Sequence, residues 1–341
     1  MTIDIQRNIK LANYSTFKIG GLAKYFTVVK NEEEILAAFF WARKKSKKIF
    51  ILGWGSNVLF SDKGINGLVI KNEIKGIEII GENDNFSIIK SYSGEAWSKL
   101  VNFSINHNYY GVENMFYIPG TVGAAPIQNI GAYGAELKDV FYNLCAINLK
   151  TGEKKYFNLK DCQFGYRDSI FKNKLKNKYF ILWVELKLSK LAKLNLDYGD
   201  IKAKLSEKKI VEPNLKNITE AIQEIRDSKL PNPAILANAG SFFKNPVISE
   251  DDFKVLKEKF PEIKSFPDKN GIKIPAGWLI EQAGMKGYRH GDAGVYENQA
   301  LILVNHGSAS QKDVLFLVDL VKKNVFDKFG IILEAEVNIL K

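Results

Sequence analysis

The chain has 341 residues, 46% hydrophobic and 12% aromatic, which excludes a disordered protein and gives room for more than one core. Its 49 Lys and Arg exceed its 38 Asp and Glu, a net charge of +11 that favours anionic partners such as nucleotides, yet the lysines are scattered and form no nucleic-acid face. Two cysteines are too few for a disulfide framework, the first residues have no apolar signal core, and no apolar run reaches the ~20 residues of a membrane helix, so a cytoplasmic protein without membrane attachment is expected.

Asn31, three glutamates, an apolar face and a basic stretch at 43–48 spell a capped helix. Short strands at 49–52 and 67–70 flank the turn Gly53-Trp-Gly-Ser-Asn-Val58 and suggest a small α/β lobe. Alternating runs at 77–80 and 86–89 read as a hairpin, and Trp97, Leu100, Val101, Ser104 and Ile105 share a helical face. A second hairpin follows at 144–149 and 155–157, then a long strand at 180–188. Asn217-x-x-Glu220 reads as a capping box for a helix to about Lys229, and Pro231-Asn-Pro233 marks a boundary. Beyond it come a Ser249-capped helix, a helix after Pro275 that stops at Gly284, a strand at 300–304, a helix from Ser310 to before Gly330, and a closing strand at 331–340.

Residues 118–134, Ile-Pro-Gly-Thr-Val-Gly-Ala-Ala-Pro-Ile-Gln-Asn-Ile-Gly-Ala-Tyr-Gly, carry no charge and four glycines. Such a stretch is either a tight buried connection or a cradle of backbone N–H groups for a phosphate or a planar cofactor. Gly53-x-Gly55 lacks the third glycine and the helix of a dinucleotide fingerprint. That turn holds a phosphate or is simply structural. Arg167 and Asp168 form a surface ion pair or offer an arginine to a carboxylate. Ser241 lies in no nucleophile elbow; it is a turn residue, or an acid toward a strongly basic carbanion. Glu334 and Glu336 are a carboxylate pair on one face or two exposed charges, and periodicity does not decide. His107, His290 and His306 show no metal spacing, so no metal is expected.

Taken together and in order, Ser15-Thr-Phe17, Leu52-Gly-Trp-Gly-Ser-Asn-Val-Leu59, the 118–134 loop, Phe164-Gly-Tyr-Arg-Asp-Ser169, Asn238-Ala-Gly-Ser-Phe-Phe-Lys-Asn-Pro246, Pro275-Ala-Gly-Trp-Leu-Ile280 and Leu333-Glu-Ala-Glu-Val337 make a specific set. The chain resembles the UDP-N-acetylenolpyruvoylglucosamine reductase family (MurB), FAD enzymes of bacterial peptidoglycan synthesis. Tyr198-Gly-Asp200 looks like the subclass with an extra tyrosine-bearing loop.

The resemblance implies an α+β fold: two α/β lobes of the vanillyl-alcohol-oxidase type that bind FAD, plus a third α+β domain for substrate. Expected boundaries are 1–75 and 76–230 for the lobes, 231–330 for the substrate domain, and 331–341 for a strand returning to the FAD-binding body. It implies non-covalent FAD along Gly53, Trp54, Gly55, Ser56, Asn57 and Val58, and along Pro119, Gly120, Thr121, Gly123, Ala124, Gln128, Asn129, Gly131 and Ala132. It implies NADPH as co-substrate and UDP-N-acetylglucosamine enolpyruvate as substrate, reduced to UDP-N-acetylmuramate. Hydride from FAD N5 would add to the distal vinyl carbon, and Ser241 would protonate the α-carbon. Arg167 and Glu336 would stabilise the developing enediolate, the glutamate only when protonated or hydrogen-bonded. Tyr133, Tyr198, Arg226, Lys229, Asn245 and Gln299 match substrate-binding positions. A monomer is expected, serving cell-wall biogenesis and through it cell shape and division.

Two departures stand out: Asn338 where some relatives have arginine, and Trp54 where a smaller or acidic residue is common. A covalent flavin oxidase of the same fold is the nearest alternative; the only histidine before the loop is His107. A basic nucleic-acid-binding protein is the alternative of another class, and would bind DNA with steep salt dependence.

Overall fold

Asn31 caps the first helix, α1 (Glu32–Lys44), its Oδ1 accepting from Glu34 N at 2.9 Å. The acidic first turn and basic last turn suit the helix dipole. The computed structural model describes residues 3–197 and 199–340. Tyr198, expected among the substrate contacts, lies outside them. The chain divides into two units, one of residues up to Ile9, Ala23–Trp54 and Ile65–Ser228, the other of Lys10–Leu22, Gly55–Gly64 and the residues from Lys229 onward.

In unit one, α1 packs on a four-stranded sheet in the order Gln6–Lys10, Leu22–Val29, Ile65–Asn72, Ile49–Leu52. The last three strands run parallel. A five-stranded antiparallel sheet follows, in the order Lys154–Asn158, Phe141–Asn148, Tyr179–Ser189, Phe86–Tyr92, Ile77–Glu82. The strands Phe141–Asn148 and Tyr179–Ser189 are buried on both faces, so they read as hydrophobic runs. Leu144 and Ala146 join the cluster that holds α2 (Trp97–Asn106), while Cys145 and Ile147 join the one that holds α1. A register shift between Cys145 and Ala146 turns the partner strand over: Phe180 and Leu182 face one cluster, Val184 and Leu186 the other. Trp97 is 1% exposed and donates its indole N–H to Met115 O at 2.9 Å. Burial of such a side chain stabilises by about 1.5–3 kcal/mol.

A single helical turn, α3 (Leu159–Cys162), is capped by Asn158 and ended by Gln163 in the left-handed region, which launches the turn that carries Arg167. Two helices then form an excursion with its own small core: α4 (Gly199–Glu207), which the sequence pattern did not announce, and α5 (Leu215–Lys229). The start of α5 corrects the expected capping box. Asn214 and Asn217 exchange side-chain and backbone hydrogen bonds at 3.0 and 3.1 Å, so the cap is Asn214, not Asn217.

Unit two builds a four-stranded sheet in the order Ala237–Ser241, Ile302–Asn305, Ala293–Val295, Arg289–His290. Helices α6 (Glu250–Lys259), α7 (Ala276–Gln282) and α8 (Gln311–Phe329) accompany it. Phe17, Ile19 and Leu59, from early in the chain, are buried in this unit's core. Asp62 accepts from Gln311 N at 2.8 Å and Lys312 N at 3.2 Å, filling the N-terminus of α8. The closing strand is shorter than expected: only Asn338–Ile339 is regular, paired in parallel with Val58–Leu59. Among the described residues, no helix is long and apolar enough to cross a membrane.

Candidate active site

In unit one, the strand Ile49–Leu52 ends at Gly53, and the uncharged 118–134 loop comes against it. A Cβ on Gly53 would stand 2.6 Å from Thr121 Oγ1, so a larger residue would have to displace that hydroxyl. The loop is sewn to the segment before α2: Val122 N donates to Glu95 O at 2.9 Å, Gly123 N to Ser93 O at 2.9 Å, and Trp97 N to Gly120 O at 3.0 Å. Lys71 Nζ donates to Gly53 O at 2.9 Å and pairs with Glu73 at 2.8 Å; Glu73 also pairs with Lys75 at 2.8 Å. Burial pushes the Glu73 carboxyl up, but the hydrogen bonds and charges of Lys71 and Lys75 outweigh it and hold the pKa below the ordinary value. Trp54, one of the two departures, is 43% exposed.

The far half of the loop is tied to the turn after α3. Arg167 donates from Nη2 to Gly131 O at 2.7 Å and lies over the Tyr166 ring. Ser169 Oγ donates to Ile127 O at 2.7 Å. Asn129 is fully buried, and its amide is committed within the protein: Nδ2 donates to Glu136 Oε2 and Gly165 O, while Oδ1 accepts from Lys138 N. Its side chain therefore shapes the loop. Asp168 does not pair with Arg167; both its oxygens accept from Asn173 Nδ2, at 2.9 and 3.0 Å.

Tyr117, Asn129, Tyr133 and Arg167 all have positive φ, at 66°, 46°, 48° and 51°. Non-glycine residues held there are strained, and such strain gathers at functional sites. Tyr133 meets Arg226 of α5, whose Nε is buried with no hydrogen-bond partner. Burial lowers the Arg226 pKa, against the raising influence of Tyr133, Tyr117 and Asp227. Burial and then the carboxylate of Asp227 push the Tyr117 phenol up. A half-buried guanidinium with an unmet donor is chemistry for an anion. Lys229 ends α5, exposed.

In unit two, four segments meet. Thr16 N donates to Gly55 O at 3.1 Å, Thr16 Oγ1 to Asn238 O at 2.7 Å, and Asn238 N to Thr16 O at 3.1 Å. Gly55 has φ 70°, and a Cβ there would fall 2.0 Å from Tyr14 O. Asn57 Nδ2 donates to Glu336 O at 3.5 Å, and Asn57 O accepts from Asn338 N and Nδ2, both at 3.2 Å. Asn338, the second departure, thus holds the Gly55–Asn57 turn. Phe243 and Ala335 form an antiparallel bridge, with Glu336 N donating to Phe242 O at 2.8 Å and Lys244 N to Glu334 O at 2.9 Å. This ladder brings the Ser241 strand beside Glu336. Ser241 is exposed and Glu336 half-buried. Glu334 instead is exposed and pairs with Lys244 at 3.0 Å. Asn245 Oδ1 accepts from Ala276 N at 2.9 Å at the start of α7, and Gln299 Oε1 accepts from Leu301 N at 3.4 Å.

Unit one therefore gathers Gly53, the loop, Arg167, Tyr133 and Arg226, and unit two gathers the Gly55–Val58 segment, Ser241, Asn245 and Glu336. Sequence reasoning missed Lys71, Asn114 and Tyr117, and gave Thr16 no role beyond its place in Ser15-Thr-Phe17. The one available signal was a lysine at the end of the apolar run 67–70.

Residues 232–340 match the family model for the UDP-N-acetylenolpyruvoylglucosamine reductase C-terminal domain, and residues 23–154 that for an FAD binding domain. The chain is 49% identical to the UDP-N-acetylenolpyruvoylglucosamine reductase of Flavobacterium johnsoniae, over 99% of this chain and 100% of the relative. For the enzymes of Amoebophilus asiaticus and Pseudomonas syringae pv. syringae the identities are 44% and 42%, at the same coverage. The crystal structure of UDP-N-acetylenolpyruvylglucosamine reductase from Thermus caldophilus covers 100% of both chains at TM-score 0.70 and 23% identity. That of 6-hydroxy-D-nicotine oxidase from Arthrobacter nicotinovorans covers 100% of this chain and 88% of the other, at TM-score 0.52 and 10% identity. At these identities the two structures speak to the fold alone. The fold is α+β, with FAD-binding lobes of the expected type and a further α+β domain.

Proposed function

The chain belongs to the UDP-N-acetylenolpyruvoylglucosamine reductase family, and from that premise we propose that it reduces the enolpyruvyl C=C of UDP-N-acetylglucosamine enolpyruvate to UDP-N-acetylmuramate at the expense of NADPH. It does so in the cytoplasm, as a monomer, in peptidoglycan synthesis. We assign it to the subclass with the extra tyrosine-bearing loop, which the α4–α5 excursion supports. Residues 1–75 and 76–230 are assigned to the FAD-binding lobes and 231–330 to the substrate domain, with 331–341 returning to the FAD-binding body.

The residues present fit FAD: an uncharged loop with neutral polar side chains, and two glycines where a Cβ would collide and backbone lies close-packed. Non-covalent FAD would be held by Gly53, Trp54, Gly55, Ser56, Asn57 and Val58 and by Pro119, Gly120, Thr121, Gly123, Ala124, Gln128, Gly131 and Ala132, with Asn129 setting the loop's shape. When bound, FAD supplies hydride transfer. Arg167 and Glu336 stabilise the negative charge that develops on the substrate carboxylate, and Ser241 delivers a proton from Oγ to the α-carbon. Tyr133, Tyr198, Arg226, Lys229, Asn245 and Gln299 hold the sugar nucleotide. Arg226, with its unmet buried donor, takes an anionic group.

The observation that most supports this reading is the Phe243–Ala335 ladder, which carries Ser241 and Glu336 on hydrogen-bonded neighbours. Anaerobic reduction with NADPH, then addition of the enolpyruvyl sugar nucleotide, tests it. The flavin band should bleach and return. A band that bleaches but stays bleached overturns the substrate assignment.

A further inference from the structure

Helices α4 and α5 pack on each other through Ile201, Leu205, Ile218 and Ile222, and Tyr133 of the loop joins their core together with Leu194 and Leu196. One buried amide fastens this assembly. Asn114 is 1% exposed; its Nδ2 donates to Tyr133 O at 2.8 Å and to Asn195 O at 2.9 Å. The orientation of the amide follows from this network, since a flip would set Oδ1 against two carbonyl oxygens. A weaker second tie runs from Asn195 Nδ2 to Gly134 O at 3.3 Å. Asn114 Oδ1 is buried and has no hydrogen-bond partner. An orphan acceptor is left without compensation for its lost hydration, so Asn114 is a poor choice for stability alone. What it does provide is geometric. Tyr133 stands at φ 48° beside Arg226, and its carbonyl is held on the same amide as that of Asn195, which leads into α4.

We propose that Asn114 is a positioning residue for the anionic part of the substrate. By holding Tyr133 and Asn195 on one amide, it sets the Tyr133 phenol against Arg226 and keeps the α4–α5 excursion seated on the loop. The proposal rests on the reading that Tyr133 and Arg226 meet a nucleoside diphosphate. Asn114 itself touches no reacting atom; it acts through Tyr133.

The test uses the flavin-loaded enzyme with Asn114→Ala and Asn114→Asp, the latter keeping the shape while removing both donors. The KM for the enolpyruvyl sugar nucleotide should rise about tenfold in each, with kcat within about threefold, as expected for loss of one hydrogen-bonded constraint on binding. Amide hydrogen exchange should speed up together in peptides covering 131–136 and 191–207. A KM within twofold of wild type in a folded variant, or unchanged exchange in both peptides, overturns the proposal. So does a fall in kcat with KM unchanged. Should both Asn114 variants fail to fold, Asn195→Ala, which removes the 3.3 Å tie to Gly134 O and the local bond from Asp197 N at 3.2 Å, should raise KM about two- to threefold; no rise overturns the proposal. If the wild-type enzyme does not turn over this sugar nucleotide, the functional reading falls, while hydrogen exchange still decides whether Asn114 couples the two segments.

Discussion

The Lys71 ammonium lies 2.9 Å from the Gly53 carbonyl oxygen, with Glu73 on its other side at 2.8 Å. A charge-assisted hydrogen bond therefore fixes the end of the strand Ile49–Leu52, where the proposed cofactor turn begins. Replacing Lys71 with methionine keeps most of the stem and removes this bond. The dissociation constant for FAD should rise about three- to tenfold, measured by flavin fluorescence on the apoprotein. An unchanged constant would mean that the turn holds itself.

Glu73 gives this network a pH signature. Its folded pKa is lowered, so its contribution is present above the unfolded pKa of about 4.3 and is lost as pH falls through the lower folded value. Glu73→Gln should therefore destabilise by about 1 kcal/mol at pH 7, and the difference should shrink below about pH 4. Urea midpoints of both proteins across that range check it; a difference independent of pH contradicts the assignment.

Tyr117 holds φ 66° with its side chain 39% exposed. An L-residue there costs about 1–2 kcal/mol, and glycine returns about 0.5–1 kcal/mol of that through the unfolded chain. Tyr117→Gly should raise stability by about 0.5–1 kcal/mol, read from the urea midpoint. A fall would show that the contacts with Phe116, at a ring separation of 5.8 Å, and with Asp227 outweigh the backbone strain.

Ser241→Ala separates the two half-reactions. Reduction of the flavin by NADPH should keep its rate, while reoxidation by the enolpyruvyl substrate should slow by about 10²–10⁴. If stopped-flow traces show wild-type rates in both halves, the proton comes from elsewhere.

Acid precipitation should leave the yellow colour in the supernatant. His107 is occupied by Phe103 O at 2.8 Å and stacked on Phe103, and burial pushes the thiols of Cys145 and Cys162 up to about 11 and 12. Groups so placed are poor tethers. A yellow pellet would favour the covalent oxidase.

Local signals were legible in the sequence. Asn31, Ser249 and Ser310 announced their helices because capping is decided within four residues. The uncharged loop and the Gly53 turn were visible because glycine and the absence of charge are local facts. Asn114 and Lys71 were not, since their meaning lies in carbonyls 18 to 81 residues away. Helix α4 is polar and short, and its burial is set by α5, so its own periodicity was too weak to read. The pairing of Arg167 with Asp168 looked natural from adjacency, but the left-handed backbone at Arg167 sends the two side chains to different partners.

The chain passes from one unit to the other at residues 9/10, 22/23, 54/55, 64/65 and 228/229. Phe17 and Leu59 belong to the core of the unit completed last, and Asn57 bonds Glu336 across 279 residues. At about 5–20 residues per second, translation leaves these early segments without their partners for on the order of tens of seconds. On the ribosome, the strands and helices of unit one can close first, while Phe17, Ile19 and Leu59 wait for the core that residues 229–340 supply. Removing residues 331–340 would therefore uncover Phe17 and Leu59, side chains that stand more than 270 residues before their partners in the chain.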